Sequence, residues 1–469
     1  MRPIVSAAKP AHNSAHHVHK KSVMSDETTK IIIRGGKTRM YRRKFSLEVI
    51  AGPDLSKTLI TGKESATVGS ARWNDLVLSG DGVSRHHLRI RISRDGFLFT
   101  DLDSTNGTFV DNLQLQQAVV RGPVDLRVGE NMLRFRPLIE EEEVPLLAED
   151  RFGALIGRSA PMRELFQKLA LIARQDTTVL IEGETGTGKE LIAQEIHRHS
   201  PRQKGPFVVV DCGSIPASLV EAELFGQIAG AFTGATENRA GPFEEAERGT
   251  VFLDEIGELP QELQPKLLRI LERKEVKRVG ESHFRTVDVR IVAASNRDLA
   301  RAVNQGTFRA DLYYRLAVAA VSIPPLRQRT EDLDALIAAL WPDISRGASD
   351  APLIPAETMT QLKAHLWPGN VRELRNVLER MSVFSNGAPT FEAPKEGLID
   401  EGNDLSLETL DTLPFRRARA HFERRYLTRL LTRCHDNVAE ASRQSGIDRV
   451  HLYRLIKKYD LRQKPKEPA

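Results

Sequence analysis

Gly183-Glu-Thr-Gly-Thr-Gly-Lys189 is the stretch of sequence that decides the fold. A short apolar strand, Thr178–Ile181, precedes it, and a helical segment, Glu190–His199, follows it. Glycines here let backbone N–H groups curl around phosphate oxygens, and a helix N-terminus favours the bound anion. This context predicts a nucleotide-binding loop in an α/β domain, with Lys189 reaching the β- and γ-phosphates of ATP. The loop residues assigned to ATP are Gly183, Glu184, Thr185, Gly186, Thr187, Gly188, Lys189 and Glu190.

An acidic strand end lies downstream, at Val251-Phe-Leu-Asp254-Glu255. Ligands bind outside the carboxyl ends of strands in open α/β sheets, so we expect Asp254 to hold Mg2+ and Glu255 to polarise the attacking water. Because Glu190 stands where the generic loop motif has Ser or Thr, phosphates, water and Asp254 must hold the magnesium. Asn296, at the end of another strand, is a candidate sensor of the γ-phosphate. The alternatives are a surface acidic turn and an ordinary turn asparagine.

The rest of the chain divides into segments of different pattern. Short alternating strands predict an all-β sandwich, and apolar strands separated by amphipathic helices predict a parallel sheet covered on both faces. The expected fold is multidomain: a sandwich, an α/β domain with a helical lid, and a small all-α domain. The predicted boundaries are a disordered basic tail at 1–43, the sandwich at 44–138, an acidic linker at 139–151, the α/β core at 152–322, the lid at 323–385, a linker at 386–412, the all-α domain at 413–463 and a tail at 464–469.

Composition and charge narrow the class of protein. The chain has 469 residues, 40% hydrophobic and 28% charged, which is ordinary for globular domains. The net charge is only +5, but residues 413–469 carry 15 Lys and Arg against 6 Asp and Glu, which predicts a polyanionic partner such as DNA. Two cysteines, Cys212 and Cys434, form neither a disulfide framework nor a zinc motif. With no signal-peptide core and no membrane-spanning run, we expect a cytoplasmic protein without a membrane partner.

Gly230-Ala-Phe-Thr-Gly-Ala235 lies between the phosphate loop and the acidic strand end. Its glycines permit tight hinging, and Phe232 must either fold back into a core or be covered by a partner. The hexapeptide resembles the loop by which the activators of sigma-54 RNA polymerase engage that sigma factor. Gln227-Ile-Ala229 departs from the usual His-Glu-Lys before it. The resemblance assigns sigma-54 contact to Gly230, Ala231, Phe232, Thr233, Gly234 and Ala235.

The same resemblance extends to the motifs of the AAA+ class of ring ATPases. It implies ATP hydrolysis between the subunits of a homo-oligomeric ring, expected to be a hexamer, with an arginine supplied by the neighbouring subunit. Arg309 and Arg315 both match the family pattern. Which of them is the arginine supplied to the neighbouring subunit, the arginine finger, stays open. In Trp367-Pro-Gly-Asn370-Val-Arg372, Asn370 is predicted to cap a helix and Arg372 to act as the second sensor. Asp211 replaces an asparagine that restrains the catalytic glutamate, which predicts altered coupling between partner contact and hydrolysis.

Three motifs in the predicted sandwich resemble the forkhead-associated (FHA) domain: Val68–Leu78, Val83–His87 and Asp103–Thr108. The resemblance implies binding of a phosphothreonine protein or a Ser/Thr kinase. Residues that match phosphopeptide contacts are Ser84, Arg85 and Asn106, with His87 supporting the loop. Ser70 stands where the family usually has Arg, and Arg72 is the candidate substitute. A docking or autoinhibitory module is the alternative.

The basic C-terminal segment Asn437–Lys457 resembles a Fis-type helix-turn-helix. The resemblance implies that its second helix enters the major groove of enhancer DNA. Residues assigned to bases or phosphates are Arg449, Val450, His451 and Arg454, with Lys457 contacting the backbone. A basic protein-binding tail is the alternative.

Together these segments predict a sigma-54-dependent transcriptional activator. It would bind upstream DNA, assemble a ring and use ATP hydrolysis to convert closed complexes of the sigma-54 RNA polymerase holoenzyme into open ones. The FHA domain would sense a phosphothreonine input. The alternatives are a DNA-bound regulator whose ATPase is vestigial and acts through another sigma factor, and a phosphopeptide-binding scaffold.

Overall fold

The computed structural model describes residues 29–384 except 35–36, 94, 148, 217–218, 233–234 and 346–353, together with isolated positions near the C-terminus. The chain divides into two compact units, Met1–Ala393 and Pro394–Ala469. The apolar positions described in the second unit form one buried cluster: Leu427, Leu430, Leu431, Val438, Leu452 and Ile456. The predicted linker at 386–412 and the predicted DNA contacts Arg449, Val450, His451, Arg454 and Lys457 lie outside the described residues.

Two sheets packed face to face form the predicted sandwich, which is confirmed. Their strands are β1 (Thr29–Arg34), β2 (Lys37–Ala51), β3 (Thr58–Thr61), β4 (Ser65–Gly69), β5 (Leu76–Val77), β6 (Leu88–Ser93), β7 (Gly96–Asp101), β8 (Thr108–Val110), β9 (Leu113–Leu115), β10 (Gln117–Val120), β11 (Val124–Val128) and β12 (Asn131–Pro145). Among the described residues, one sheet has the order β1-β2-β12-β11-β8-β9 with β3 beside β2, and the other has the order β10-β7-β6-β4-β5. Alternate residues of the strands point inward, and Phe45, Phe97, Phe99 and Phe135 contact one another in the core.

The sandwich extends further at both ends than the sequence predicts. Strands β1 and β2 begin inside the segment predicted to be a disordered tail, and β12 runs through the run Glu140–Glu143, predicted to lie in a linker. Both predictions were wrong in these parts. In the register, Glu141 faces Arg43 and Glu142 faces Arg42, so the acidic run lies opposite a basic run across the sheet, and the Arg42 guanidinium itself pairs with Glu164. Opposite charges on facing strands stabilise such a ribbon, although each run alone is typical of a solvated segment.

A parallel sheet in the order β16-β17-β20-β15-β21 is the centre of the α/β domain. Val251 and Leu253 of the central strand pack in one apolar cluster and Phe252 in another, so both faces of the sheet are covered as predicted. The elements are β13 (Arg151–Phe152), β14 (Leu155–Ile156), α1 (Ala160–Ala173), β15 (Val179–Glu182), α2 (Lys189–Arg198), β16 (Phe207–Asp211), α3 (Val220–Phe225), α4 (Pro242–Glu245), β17 (Thr250–Asp254), α5 (Gln264–Arg273), β18 (Glu275–Val276), β19 (Arg285–Thr286), β20 (Arg290–Ser295), α6 (Leu299–Asn304), α7 (Ala310–Leu316) and β21 (Ala319–Ser322).

The predicted helical lid follows, with α8 (Leu333–Ile344), α9 (Ala356–Ala364) and α10 (Asn370–Phe384). Its core surrounds Trp367, which is fully buried and whose indole N–H donates to the Leu362 carbonyl at 2.9 Å. The lid therefore has an apolar core of its own. No described helix is both long and apolar enough to span a lipid bilayer.

Candidate active site

The predicted phosphate loop connects β15 to α2. Gly186 and Gly188 have φ values of 79° and 103°, a region of backbone conformation that favours glycine. The side chain of Lys189 is 6% exposed, and its Nζ donates to the Gly183 carbonyl at 3.1 Å. Glu190 is exposed in the first turn of α2, where Gln194 donates to its carboxylate. The carboxylate of Glu190 therefore lies on the outer surface of the helix.

The acidic strand end lies beside this loop. Glu255 Oε1 is 3.3 Å from Lys189 Nζ, and Glu255 Oε2 accepts a hydrogen bond from the Asn296 backbone N–H at 3.1 Å. The Asn296 amide in turn donates to Thr185 Oγ1 at 3.2 Å. Glu255 adopts a left-handed backbone conformation, with φ of 48°, a strained geometry that clusters at functional sites. The fold thus brings Lys189, Glu255, Asn296 and Thr185 into one connected network.

Asp254 and Asp211 end neighbouring strands and are register partners across β16 and β17. Burial raises the pKa of Asp254, and the negative charges of Glu255 and Asp211 raise it further. Asp211 is exposed, and its Oδ1 accepts from the Gly213 N–H at 2.9 Å. Among the described residues, no hydrogen bond joins Asp211 to Glu255. The negative charge of Asp211 therefore acts at the strand ends on Asp254 and not through a hydrogen bond to Glu255.

The donor set fits a magnesium ion. Burial and, after it, the neighbouring carboxylates raise the pKa of Asp254, and a cation would relieve the repulsion between these carboxylates. No group of three or more His, Cys, Asp or Glu suited to a metal occurs in the described part of the chain. Mg2+ typically takes one or two carboxylates and completes its shell with water and substrate phosphates, so a small protein donor set is sufficient.

The lid contacts the phosphate loop through the start of α10. The backbone N–H groups of Val371 and Arg372 both donate to the Gly186 carbonyl, at 3.0 and 3.3 Å. A Cβ at Gly186 would lie 2.3 Å from the Gly369 carbonyl oxygen, so only glycine permits this approach. The backbone of Arg372 is thereby attached to the loop, and its side chain is exposed.

Asn370 has a contact role that the sequence did not predict. It is fully buried, and its Oδ1 accepts from the Leu326 N–H at 2.7 Å. Its Nδ2 donates to Glu184 Oε2 at 3.2 Å and to the Thr185 carbonyl at 3.1 Å. The prediction that this side chain caps the helix was wrong, because its hydrogen bonds go to the phosphate loop and to the chain before the lid.

Two arginines after Pro324-Pro325 also escaped sequence reasoning. Arg327 makes a bidentate pair with Glu184, at 2.8 and 2.5 Å, and this pair lowers the pKa of Glu184. Arg329 is buried, and its Nη2 donates to the Thr187 carbonyl at 3.1 Å. Burial lowers the pKa of Arg329 to about 10. The only feature of the sequence that could have indicated this role is their position directly after the rigid Pro324-Pro325 turn, where the lid begins.

The candidate finger arginines do not lie at the phosphate loop of their own chain. Arg309 precedes α7 and pairs with Asp311 at 2.7 Å, and Arg315 in the last turn of α7 pairs with Glu272 at 3.1 Å. Both arginines are exposed. These exposed pairs are weak, so each arginine is available for a stronger anion.

The hexapeptide begins a closed loop with an exposed aromatic residue. The Gly230 N–H donates to the Ala235 carbonyl at 2.8 Å, and Gly230 has φ of 80° with open space where a Cβ would lie. Phe232 is 38% exposed, and Ala235 is buried. Thr233 and Gly234 lie outside the described residues. The base of the loop is attached to the domain, and its phenyl ring is accessible to a partner.

The residues predicted to bind a phosphopeptide come together at one end of the sandwich. Ser84 Oγ accepts from the Thr105 N–H at 2.9 Å, which holds two of the predicted loops together. Arg72, Arg85 and Asn106 are exposed there. His87 is fully buried, with its Nε2 3.2 Å from the Gly107 carbonyl oxygen, so it supports the loop as predicted.

Comparison with known proteins assigns these regions to families. Residues 155–322 match the sigma-54 interaction domain, residues 66–134 the FHA domain, and residues 327–392 the AAA+ ATPase lid domain.

Two relatives match over more than two thirds of their length. The transcriptional regulatory protein GlrR of Escherichia coli (strain K12) is 41% identical over 326 residues, which is 68% of this chain and 71% of GlrR. The anaerobic nitric oxide reductase transcription regulator NorR of Klebsiella pneumoniae (strain 342) is 36% identical over 435 residues, covering 88% of this chain and 80% of NorR. A crystal structure of NtrX from Brucella abortus in complex with ADP is 33% identical, covers 65% of this chain and 70% of that chain, and has a TM-score of 0.49.

Proposed function

The chain belongs to the sigma-54-dependent transcriptional regulators, and we propose that it opens promoters by coupling ATP hydrolysis to remodelling of the sigma-54 RNA polymerase closed complex. The observation that carries this proposal is the network that joins Lys189, Glu255, Asn296 and Thr185 at the mouth of the sheet. A vestigial ATPase would have no need to keep a cation, a carboxylate and an amide in contact at a phosphate loop.

Each member of this network has a role in hydrolysis. Lys189 binds the β- and γ-phosphates, Glu255 orients and polarises the attacking water, and Asn296 reports the γ-phosphate through its bond to the loop. Mg2+ would neutralise phosphate charge, with Asp254 as its protein ligand. Arg372 adds a cation from the lid, and Arg309 or Arg315 adds one to the site of the neighbouring subunit in a ring.

The Phe232 loop is the part that contacts sigma-54. An exposed phenyl ring on a glycine-hinged loop favours burial against a protein partner. The C-terminal segment would bind enhancer DNA, and the sandwich would receive a phosphothreonine signal through Ser84, Arg85 and Asn106. Binding of several copies to upstream DNA would favour ring assembly by raising their local concentration.

Open-complex formation tests the proposal directly. Purified protein, sigma-54 holoenzyme and a sigma-54 promoter are combined with ATP or a non-hydrolysable analogue, and single-strand reactivity is measured at the start site. We expect the wild type to open the promoter with ATP but not with the analogue. Glu255→Gln, which binds ATP without hydrolysing it, should not open the promoter with either nucleotide. Phe232→Ala should hydrolyse ATP without opening the promoter, whereas Phe284→Ala, which truncates another exposed phenylalanine, should open it normally. Full opening by Phe232→Ala would remove the loop from the mechanism.

A further inference from the structure

A cleft of about 810 Å³ lies between the peptide-binding end of the sandwich and the start of α7. The sandwich lines it with Ser70, Arg72 and Arg85. The ATPase domain lines the opposite wall with Phe308, Arg309 and Asp311. The predicted phosphopeptide loops therefore face a second wall that belongs to the ATPase.

Hydrogen bonds hold the two walls in this arrangement. Asn304 Nδ2 donates to the carbonyl of Leu102 at 2.7 Å and also to the carbonyl of His86. Arg89 pairs with Asp298 at 2.6 Å. These bonds involve residues directly beside Arg85 and beside the loop that carries Asn106. The interface thus fixes the phosphopeptide loops relative to α7.

The charges inside the cleft favour an anion. Three guanidinium groups, of Arg72, Arg85 and Arg309, face one carboxylate, that of Asp311. Among the described residues, no carboxylate pairs with Arg72 or Arg85. Arg309 is bidentate to Asp311, at 3.0 and 2.7 Å, but this pair is exposed and therefore weak. A dianionic phosphate is a stronger partner for a guanidinium than an exposed carboxylate.

We propose that a phosphothreonine peptide binds in this cleft, with Arg309 of the ATPase domain completing the phosphate site that Arg72 and Arg85 begin. The proposal rests on the proposed reading of phosphothreonine by the sandwich, and it adds that the ATPase is half of the receptor. Ser70 contributes no charge at its edge of the cleft, and Arg309 supplies one from across it. A bound phosphate draws Arg309 away from Asp311, so ligand binding acts on a candidate finger arginine.

Binding of a fluorescent peptide pool to the full-length chain tests this assignment. The pool has a fixed phosphothreonine and randomised flanks, and a matched pool has threonine in its place. Anisotropy is measured for the wild type and for Arg85→Gln, Arg309→Gln and Arg273→Gln. We expect Arg309→Gln to weaken binding of the phosphorylated pool about tenfold, the effect of losing one charge-assisted hydrogen bond. Arg273→Gln makes the same charge change at an exposed position of α5 outside the cleft, and it should bind as the wild type does.

Asp311→Asn should change the affinity for the phosphorylated pool in the opposite direction to Arg309→Gln. It releases Arg309 from its carboxylate and should tighten binding severalfold, a gain that misfolding cannot imitate. Loss of binding in Arg85→Gln with normal binding in Arg309→Gln and Asp311→Asn would overturn the composite site and leave phosphothreonine reading by the sandwich intact. Equal binding of the two pools by the wild type would overturn both, while ATP-dependent promoter opening would remain testable on its own.

Discussion

Replacing Asn370 by aspartate isolates the contact between lid and phosphate loop. The side chain keeps its shape, and its remaining oxygen can still accept from the Leu326 N–H. The Nδ2 donor is lost, however, and with it the hydrogen bonds to Glu184 and to the Thr185 carbonyl. The new carboxylate also faces the carboxylate of Glu184. The variant therefore removes the side-chain part of the attachment without changing the volume of a fully buried residue, while the backbone hydrogen bonds of Val371 and Arg372 to Gly186 remain.

The magnitude follows from these contacts. A neutral hydrogen bond contributes about 1 kcal/mol, and one to a charged group about 2 kcal/mol. The Glu184 side chain is 42% exposed, so solvent screening reduces the second value and the repulsion. We expect a loss of about 2 kcal/mol in lid docking. If ATP requires the docked lid, its affinity falls roughly thirtyfold, since 1.4 kcal/mol corresponds to a factor of ten.

Calorimetric titration of the full-length chain with a non-hydrolysable ATP analogue measures this change. Asn376→Asp is the matched control, because it adds the same charge to an exposed position of α10 and should bind as the wild type does. Lowering the pH should reduce the deficit of Asn370→Asp, since a protonated aspartate again has a donor. An affinity within threefold of the wild type at neutral pH would refute the reasoning.

Three further outcomes follow from the structure. Phe45→Ala, in the aromatic core of the sandwich, should cost about 3–5 kcal/mol of unfolding free energy by urea denaturation, whereas Ile139→Ala, at a residue 95% exposed, should cost under about 0.5 kcal/mol. Burial lowers the pKa of His86 from 6.5 to about 4, so the unfolded chain binds more protons between these values, and stability should fall as pH drops through this window, less steeply in His86→Gln. Asp211→Asn should change the ratio of ATP turnover measured with sigma-54 to that measured without it. A variant whose turnover equals that of the wild type under both conditions would contradict a role of Asp211 in coupling partner contact to hydrolysis.

Local patterns explain why much of the active site was predictable. The phosphate loop and the acidic strand end each consist of a few neighbouring residues whose types follow from their chemistry. Asn370 and Arg327 were missed because their partner, Glu184, is far away in the sequence and is reached only when the lid folds back. The β2–β12 ribbon was missed because Arg42 and Glu142 are typical of solvated segments until the backbones of their strands pair.

The extension of β12 in the β2–β12 ribbon shortens the connection between the two walls of the cleft. Strand β12 ends at Pro145 and β13 begins at Arg151, so the connection between sandwich and ATPase spans roughly 20 Å at full extension. So short a connection presents the α7 wall to the sandwich at an effective concentration on the order of millimolar. The two walls of the cleft therefore meet without a separate association step. A sandwich separated from the ATPase at this connection would lack the Arg309 wall, and its measured affinity for a phosphothreonine peptide would be that of the sandwich wall by itself.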